Sequence, residues 1–460
     1  MLPHLLQIIF LLSAVCAASV LGSVTTSPGI RIPVTRVFKG TNTTQVLAGD
    51  VGVSNAQDYA YVVHIGIGGQ SLPVLLDTGS ADLWVATDDC TSPECQGLAK
   101  YNKSSSTTLQ QSTTPFKLGY LVGSVTGTLA TETVTVGQYQ IHDQVIALAN
   151  HSDGLNLSSM AASGILGLSF GLASSIPQET GHTILDNLLL QFPEPSRRYF
   201  AFKLGRQNSR FQTDPTSSFT IGELDPDFAK DLNGFTFWDV VPSATMTKTY
   251  DYWKLPLVGL TINSTQAFQL SASKVAGSPT PIAVLDTGTT LVLGPRKDVE
   301  AFWNAVGSAR LDPLSGMWQV RCDRAGMVEF VLGNKGKEKA IPINPVDGGI
   351  QPNDDVHSGD WLLGDVFLRN VYAVHQLGID GGAPRIGLMS TTVMEDALTS
   401  FRTARGPDKG PPPTLRPVGS AISERGGISE PAVYSISGFS GFFIGALLVI
   451  GFRIRRDRKA

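Results

Sequence analysis

The 460-residue chain has few charged residues and few cysteines, and both shortages limit the classes of function that it can have. Asp, Glu, Lys and Arg make up 16% of the sequence, and a net charge of −4 leaves no basic face for nucleic acid. The seven histidines show no metal-ligand spacing, and no glycine-rich phosphate loop occurs. We therefore expect no nucleic-acid partner, no metal and no cofactor.

Charged residues are scarce, but glycine is abundant: the chain has 48 glycines and many serines and threonines. This composition is typical of a secreted, β-rich protein. Short apolar runs alternate with turn signals, as in residues 131–137 and 218–222, which predicts strands. Helical patterns are few, and we expect helices at residues 184–192 and 297–306. With 42% hydrophobic residues, the chain can build two or three domains.

One tetrapeptide pattern occurs twice, as residues 77–80 (Asp-Thr-Gly-Ser) and 286–289 (Asp-Thr-Gly-Thr). Each copy follows an apolar run that predicts a buried strand ending in a glycine turn. Each copy is also followed by an apolar-apolar-Gly segment, at residues 164–167 and 361–364. The spacing of 286 − 77 = 209 residues is too long for a repeat array and indicates a duplicated domain. If the turns face each other, Asp77 and Asp286 share one proton, which suits general acid-base work on water.

These residues resemble those of pepsin-like aspartic endopeptidases, specifically the membrane-tethered kind found on fungal cell surfaces. The resemblance covers roughly residues 57–392 and includes Tyr61 to Gly68, Leu83-Trp84-Val85, Tyr120 to Gly127 and Trp361 to Phe367, in order. It implies a mainly β, two-lobed pepsin-like aspartic protease fold with the active-site cleft between the lobes. The resemblance implies the activity of an aspartic endopeptidase that acts on polypeptides at acidic pH, and a monomeric protein.

The resemblance also implies roles for the residues around the two catalytic aspartates, Asp77 and Asp286. Thr78 and Thr287 correspond to interlocked threonines, and Gly79 and Gly288 to the turn glycines. Ser80 and Thr289 are placed to hydrogen-bond the outer carboxylate oxygens. Substrate-binding positions follow from the same comparison: Tyr120, Gly123 and Ser124 in the flap, Trp84 beneath it, and Thr290. Leu121 stands where the family commonly has glycine, which alters the expected flap.

Cysteine usage follows the family only in part. Cys16 falls in the predicted signal peptide, so Cys90, Cys95 and Cys322 remain. The resemblance implies a small disulfide loop between Cys90 and Cys95. Cys322 has no evident partner, and because no histidine motif accompanies it, we interpret it as a buried free thiol rather than a catalytic one.

Both ends of the chain carry targeting signals, and the predicted segments follow in order. They are a signal peptide (1–18), a prosegment (19–56), an N-terminal lobe (57–232), a C-terminal lobe (233–392), a disordered stalk (393–432), a transmembrane helix (433–452) and a cytoplasmic basic tail (453–460). The basic tail after the apolar stretch favours a membrane helix over a processed lipid anchor. The catalytic body would then face the outside of the plasma membrane or the lumen of a vacuole.

The prosegment and the glycosylation sites are further expectations for a protein of the secretory pathway. Arg31, Arg36 and Lys39 could pair with the catalytic carboxylates in a zymogen, or the segment could be a solvated lead-in. Five Asn-x-Ser/Thr sequons predict glycosylation at Asn42, Asn102, Asn150, Asn156 and Asn263.

Two alternatives remain open at this point. Residues 167–171 fit the Gly-x-Ser-x-Gly pattern around Ser169, but no oxyanion loop or ordered Asp and His partners accompany it. A second alternative is a catalytically silent pepsin-like protein that binds peptides or acts as a surface receptor. Loss of either aspartate would favour that reading, and both are present.

Overall fold

The structure, a computed structural model, describes residues 28–38, 59–206, 216–246, 248–263, 268–307, 309–312, 316–320, 323–356 and 359–410. The predicted signal peptide, transmembrane helix and basic tail lie outside these residues, as do Asn42 and Cys322. Within the described ranges, no helix has the length and apolar character needed to cross a membrane.

Strands dominate the described residues, as the composition predicts. In the first half of the chain they are β1 (Ile30–Ile32), β2 (Val34–Phe38), β3 (Tyr59–Ile67), β4 (Gln70–Asp77), β5 (Leu83–Ala86), β6 (Gln110–Gly119), β7 (Ser124–Val136), β8 (Tyr139–Asp153), β9 (Gly164–Gly167), β10 (Tyr199–Lys203) and β11 (Ser218–Ile221). In the second half they are β12 (Thr236–Asp239), β13 (Lys254–Ile262), β14 (Phe268–Gln269), β15 (Ile282–Leu285), β16 (Val292–Gly294), β17 (Ala309–Leu311), β18 (Trp318–Val320), β19 (Val328–Leu332), β20 (Lys339–Pro342), β21 (Ile350–Pro352), β22 (Trp361–Leu363), β23 (Val371–Gln376) and β24 (Arg385–Ser390).

Helices in the described part of the chain are short. They are α1 (Leu157–Met160), α2 (Ile184–Leu189), α3 (Pro226–Ala229), α4 (Arg296–Val306), α5 (Asp365–Leu368) and α6 (Met394–Arg405). The two predicted helices are confirmed as α2 and α4. The hydroxyl of Thr183 caps α2 by accepting a hydrogen bond from the N–H of Asp186 at 3.2 Å.

The N-terminal half forms an eight-stranded sheet in the order β2-β3-β4-β9-β5-β8-β7-β6. At its centre β4 and β9 pair in parallel, which places Asp77 opposite Gly167. Strand β9 also pairs antiparallel with β5, and β5 pairs in parallel with β8. The first Asp-Thr-Gly turn therefore leaves a strand buried in the middle of the sheet.

The C-terminal half repeats this arrangement in a sheet of order β20-β19-β13-β15-β22-β16-β21, with β14 beside β13. Strands β15 and β22 pair in parallel, and Leu285 lies opposite Leu363. Strand β22 pairs antiparallel with β16, and β16 pairs in parallel with β21. The second turn thus leaves a strand equivalent to the first, so the duplication predicted from the sequence is present in the strand pairing.

A third sheet joins the two halves, and the sequence did not predict it. Its six strands follow the order β1-β11-β10-β23-β24-β12, so strands from both ends of the chain are neighbours. The predicted lobe boundary between residues 232 and 233 falls directly before β12. The lobes are consequently built on a shared base rather than connected by a simple linker.

The described part of the predicted prosegment, residues 28–38, is built into the sheets. Strand β1 pairs with β11, β2 pairs with β3, and Ile30 and Ile32 are buried. Arg31 forms an ion pair with Asp225 at 3.2 Å, and Arg36 is buried on β2 opposite Tyr61. The proposed pairing of Arg31 with a catalytic carboxylate is therefore wrong, and for residues 28–38 so is the solvated lead-in.

The start of the predicted disordered stalk is also wrong, because residues 394–405 form helix α6. Its side chains Ala397 and Phe401 are buried. Beyond the helix, Asp408 accepts hydrogen bonds from Arg402 and from the backbone N–H of Ala325, each at 2.8 Å. The apolar spacing of Ala397 and Phe401, four residues apart on one helix face, is the sequence signal that marks this helix.

A histidine lies in the middle of the shared six-stranded sheet. His375 on β23 is fully buried, and its ring stacks on Phe200 with centroids 4.7 Å apart and meets Trp253 edge-on at 4.9 Å. Neither ring nitrogen has a hydrogen-bond partner among the described residues. Burial lowers the pKa of His375 to about 3, because a charged imidazole loses its hydration there.

We expect His375→Phe to stabilise the protein in acid but not above neutrality. The folded-state pKa is depressed, so this histidine costs stability as the pH falls from about 6.5 towards about 3, where only the unfolded chain gains the proton. The free energy of unfolding at pH 4 should rise by up to about 3 kcal/mol, with no such gain at pH 8. Denaturant unfolding at both pH values measures this. The exposed His142→Phe serves as control, and an equal change at both pH values would contradict the assignment.

Candidate active site

The two Asp-Thr-Gly turns meet at the junction of the lobes and support their carboxylates identically. Asp77 accepts hydrogen bonds from the N–H of Gly79 at 2.8 Å and from the hydroxyl of Ser80 at 2.5 Å. Asp286 accepts the equivalent bonds from the N–H of Gly288 and from the hydroxyl of Thr289, both at 2.7 Å. Each turn therefore fixes one carboxylate with one backbone and one side-chain donor.

Glycine is required in both turns because each approaches the opposite aspartate. A Cβ atom on Gly79 would lie 2.4 Å from the carboxyl carbon of Asp286. A Cβ atom on Gly288 would lie 2.4 Å from Oδ1 of Asp77. Any larger residue would push the two carboxylates apart, so the glycines allow them to share one site.

The two threonines of the turns interlock across the lobes. The backbone N–H of Thr78 donates to the hydroxyl of Thr287 at 3.0 Å, and the N–H of Thr287 donates to the hydroxyl of Thr78 at 3.0 Å. The hydroxyls in turn donate to the carbonyls of Leu285 and Leu76, at 2.9 and 2.7 Å. Four buried hydrogen bonds thus hold the turns in one relative position.

The apolar-apolar-Gly segments support the turns from beneath. A Cβ atom on Gly167 would lie 2.5 Å from the backbone nitrogen of Asp82, and one on Gly364 would lie 2.2 Å from the carbonyl oxygen of Thr289. The segment after Gly167 also bonds directly, since the N–H of Leu168 donates to the carbonyl of Asp77 at 2.7 Å. These close contacts explain why both copies carry glycine at the same place.

The environment of the two carboxylates opposes a second negative charge. Both are almost fully buried, Asp77 at 4% exposure and Asp286 at 6%. Burial, followed by the nearby Asp286, raises the pKa of Asp77 far above its ordinary range. The pair therefore retains one proton over a wide pH range, as a general acid-base site requires.

The predicted flap is the β6–β7 hairpin, whose turn contains Tyr120. The indole N–H of Trp84, which is fully buried, donates to the Tyr120 hydroxyl at 2.7 Å. Burial and the charge of Asp77 raise the pKa of the Tyr120 phenol, so this ring lies near the catalytic pair. Leu121 at the tip of the turn is 37% exposed and presents an apolar surface to solvent.

The other predicted positions lie around this centre. Ser124 begins β7 at the flap, and Gly123 in the turn has a φ of +82°, which favours glycine. Thr290 directly follows the second turn, and its carbonyl accepts the N–H of Val366 at 3.0 Å. The disulfide between Cys90 and Cys95 is present. Of the sequon asparagines, Asn102, Asn150 and Asn156 are exposed and Asn263 is half-buried.

Sequence reasoning missed two residues in the neighbourhood of Asp77 and Asp286. Asp82 is buried and accepts hydrogen bonds from the hydroxyl of Ser174 and from the N–H of Ser175, the latter at 2.8 Å. Tyr252 has its pKa raised to about 12 by burial and by Asp251, with further contributions from Asp77 and Asp286. Asp82 lies five residues after Asp77, so a search for further carboxyl groups near the motif would have found it. Nothing in the sequence marks Tyr252.

The Gly-x-Ser-x-Gly pattern has a structural explanation. Ser169 is fully buried, and its hydroxyl donates to the carbonyl of Asp251 at 2.8 Å. It follows β9 beneath the first turn rather than an exposed strand-to-helix elbow. No cluster of three or more His, Cys, Asp and Glu side chains among the described residues could hold a metal ion.

Comparison with known proteins agrees with this geometry. The family model described as "Eukaryotic aspartyl protease" matches residues 58–390. Chymosin from Ovis aries is 29% identical over 337 residues, covering 70% of this chain and 80% of its own. Pepsin A-5 from Mus musculus is 28% identical over 348 residues, 72% of this chain and 80% of its own. Cathepsin E from Rattus norvegicus is 28% identical over 347 residues, 72% and 79% of the two chains.

We expect Asp77→Asn to stabilise the fold at neutral pH. Because the folded-state pKa of Asp77 is raised, the carboxyl's favourable contribution is complete in acid and is lost as the pH rises above about 4, where the unfolded chain ionises freely. At pH 7 the variant should gain about 2 kcal/mol or more in unfolding free energy over the wild type, and little at pH 3. Urea unfolding measures both. The exposed Asp227→Asn is the control, and a gain confined to pH 3 would refute this account.

Proposed function

The chain belongs to the eukaryotic aspartyl protease family, and we propose that Asp77 and Asp286 are the carboxyl pair with which this aspartic endopeptidase hydrolyses peptide bonds. The observation that carries the proposal is the pairing of two buried carboxyls, each held by its own turn and joined by the threonine interlock. Such a pair retains a single proton, so one group can act as base while the other acts as acid.

The chemistry follows from that shared proton. A water molecule between the carboxyls gives a proton to the ionised group as its oxygen attacks the scissile carbonyl carbon. The protonated group donates its proton to the carbonyl oxygen, which produces a neutral tetrahedral diol. The carboxyl that took the water proton then gives it to the amide nitrogen, while the other carboxylate takes a proton from a diol hydroxyl. The carbon–nitrogen bond breaks, an amine and a carboxylic acid are released, and the pair again holds one proton.

Tyr120 and the flap would cover a bound peptide and exclude water from this step. The exposed Leu121 at the flap tip and the apolar surroundings of Trp84 favour hydrophobic side chains next to the scissile bond. The catalytically silent alternative would keep such a cleft for peptide binding alone. Intact hydrogen bonding at both carboxylates favours hydrolysis over that alternative.

The purified protein should cleave a denatured protein substrate between pH 3 and 7, most rapidly on the acid side. The Asp286→Asn variant should lower kcat/KM by at least about 10³-fold, because it removes one carboxyl of the acid-base pair. Saturating pepstatin should abolish cleavage by the wild type, because it occupies the cleft and blocks access to the pair. Ser169→Ala is the matched control and should cleave like the wild type. A peptide-binding protein would bind pepstatin without cleaving, and cleavage that survives Asp286→Asn but not Ser169→Ala would overturn the aspartic mechanism.

The N-terminal signal, the sequons and the C-terminal apolar stretch together support a secretory-pathway enzyme tethered to a membrane by residues 433–452. We propose that residues 411–432 form the connecting stalk, since the chain is tied to the C-terminal lobe as far as Lys409, whose N–H donates to the carbonyl of Asp323 at 2.7 Å. The body would then reach at most about 80 Å from the bilayer, given the fully extended length of that segment. We also propose that the sequons are glycosylated and that the residues before 57 are removed as a signal peptide and a prosegment.

The tether predicts how the full chain partitions between detergent and water. In a secreting host, the full-length chain should enter the detergent phase of a Triton X-114 extraction, whereas a chain ending at Gly410 should be secreted into the medium with unchanged kcat/KM. The reason is that about 20 apolar residues suffice to span the hydrocarbon core. Detection of the full chain in the aqueous phase without C-terminal cleavage would exclude the tether.

A further inference from the structure

The flap of this protein is supported along its whole length by a third strand. Strand β8 pairs with β7 up to the flap turn, and Ser124, the first residue of β7, lies opposite Asp153, the last residue of β8. The next pairs are Val125 with Ser152 and Thr126 with His151. Strands β6, β7 and β8 therefore form one three-stranded ribbon that continues to the tip of the flap. The flap is not a free pair of strands.

The turn of the flap rests directly on the residues that follow β8. A Cβ atom on Gly123 would lie 2.5 Å from the carbonyl oxygen of Asp153 and 2.6 Å from the carbonyl carbon of Gly154. The next residue, Leu155, packs against the same apolar cluster as Tyr120 and Trp84. Any displacement of residues 153–155 would thus move the flap turn and the ring of Tyr120 with it.

A single carboxylate holds this segment in place. Oε2 of Glu94 accepts hydrogen bonds from the hydroxyl of Ser152 at 2.8 Å and from the N–H of Leu155 at 3.2 Å, and Oε1 accepts the N–H of Asn156 at 2.9 Å. Glu94 thereby supplies acceptors to donors on both sides of the 153–154 turn. Truncation of Glu94 would leave these three donors without this acceptor.

Glu94 is in turn fixed by the disulfide loop, in which Cys90 and Cys95 are joined and buried. Within this loop the Ser92 hydroxyl accepts the N–H of Ser152 at 3.0 Å and lies 2.9 Å from Nδ1 of His151. The N–H of Cys95 donates to the carbonyl of Ser92 at 2.9 Å, which closes the loop around Glu94. The contacts run without a break from the disulfide through Glu94 to the flap turn.

We propose that Glu94 is a positioning residue for catalysis: it holds the end of β8 so that the flap turn stays in register over the catalytic pair. The inference deepens the proposed function and rests on the flap covering Asp77 and Asp286. Glu94 itself does not contact substrate. It acts through residues 152–156 on Gly123 and Tyr120, and its effect belongs to substrate binding and closure rather than to proton transfer.

Glu94→Ala tests this, with Glu94→Gln as the conservative variant and Glu338→Ala as the control. Glu338 is an exposed carboxylate that accepts a backbone N–H, that of Gly336 at 2.8 Å, in the C-terminal half. The measurements are kcat and KM on one peptide substrate, pepstatin affinity, thermal midpoint, and hydrogen exchange of amides in residues 120–126 and 152–156. Exchange is read without substrate, so it reports on Glu94 even if the protein proves to be catalytically silent.

We expect Glu94→Ala to lower kcat/KM about tenfold, mainly through KM, and to weaken pepstatin binding by a similar factor. Amide exchange should accelerate in residues 120–126 and 152–156 and stay unchanged in α4 and the shared sheet. Glu94→Gln, which keeps one carbonyl acceptor, should fall between, and Glu338→Ala should match the wild type. Unchanged exchange in residues 120–126, or a kcat/KM loss that only follows a lowered thermal midpoint, would overturn the proposal. A wild type that exchanges as expected but cleaves nothing would instead refute the proposed function.

Discussion

The reciprocal hydrogen bonds between Thr78 and Thr287 are the constraint on which the rest of this structure depends. Each lobe alone presents a strand that ends in an aspartate, and neither supplies a pair. Joining the backbone of one turn to the hydroxyl of the other fixes the distance between the carboxyls at the centre of the protein. Because the bonds are buried at the lobe junction, water competes with them poorly. Gly79 and Gly288 leave room for the two carboxyls to lie at the close distance that the threonines fix.

Two buried titratable groups make the stability of this fold depend on pH in opposite directions. Asp77 is held where burial and a second carboxyl favour the protonated form, so ionisation above the acid range costs stability. His375 lies where burial favours the neutral ring, so protonation in acid costs stability as well. The first cost is inherent in the chemistry of a shared proton. The second arises from packing an imidazole between aromatic rings in the sheet that joins the lobes.

The flap illustrates how catalysis can depend on residues far from the carboxyls. Two sets of contacts position Tyr120: the hydrogen bond from the Trp84 indole, and the ribbon of β7 and β8 beside it. The small disulfide loop contributes by presenting Glu94 to the end of β8. Leu121 adds an exposed apolar side chain at the tip. The pairing of β7 with β8 restricts the motion of the flap turn.

The sequence by itself determined the two matched Asp-Thr-Gly turns, the duplication and the β-rich class, while the disulfide partners followed from the family resemblance. The first three depend on local signals: strands ending in glycine turns and a pattern that occurs twice. It could also have revealed α6, whose buried residues have helical spacing, although composition alone suggested a disordered stalk. The pairing of Arg31 with Asp225 was different, since charge in the sequence does not identify a partner 194 residues away (225 − 31).

Only the tertiary structure decided the shared sheet, the buried His375, the proximity of Tyr252 to Asp77 and Asp286, and the contacts of Glu94 with the end of β8. Each depends on strands that are distant in the chain becoming neighbours, as when β1 pairs with β11 and β10 pairs with β23. A strand's period shows which side chains are buried but not which strand lies beside it. The motifs in the sequence therefore predicted which residues carry the chemistry, whereas long-range strand pairing determines how those residues are positioned.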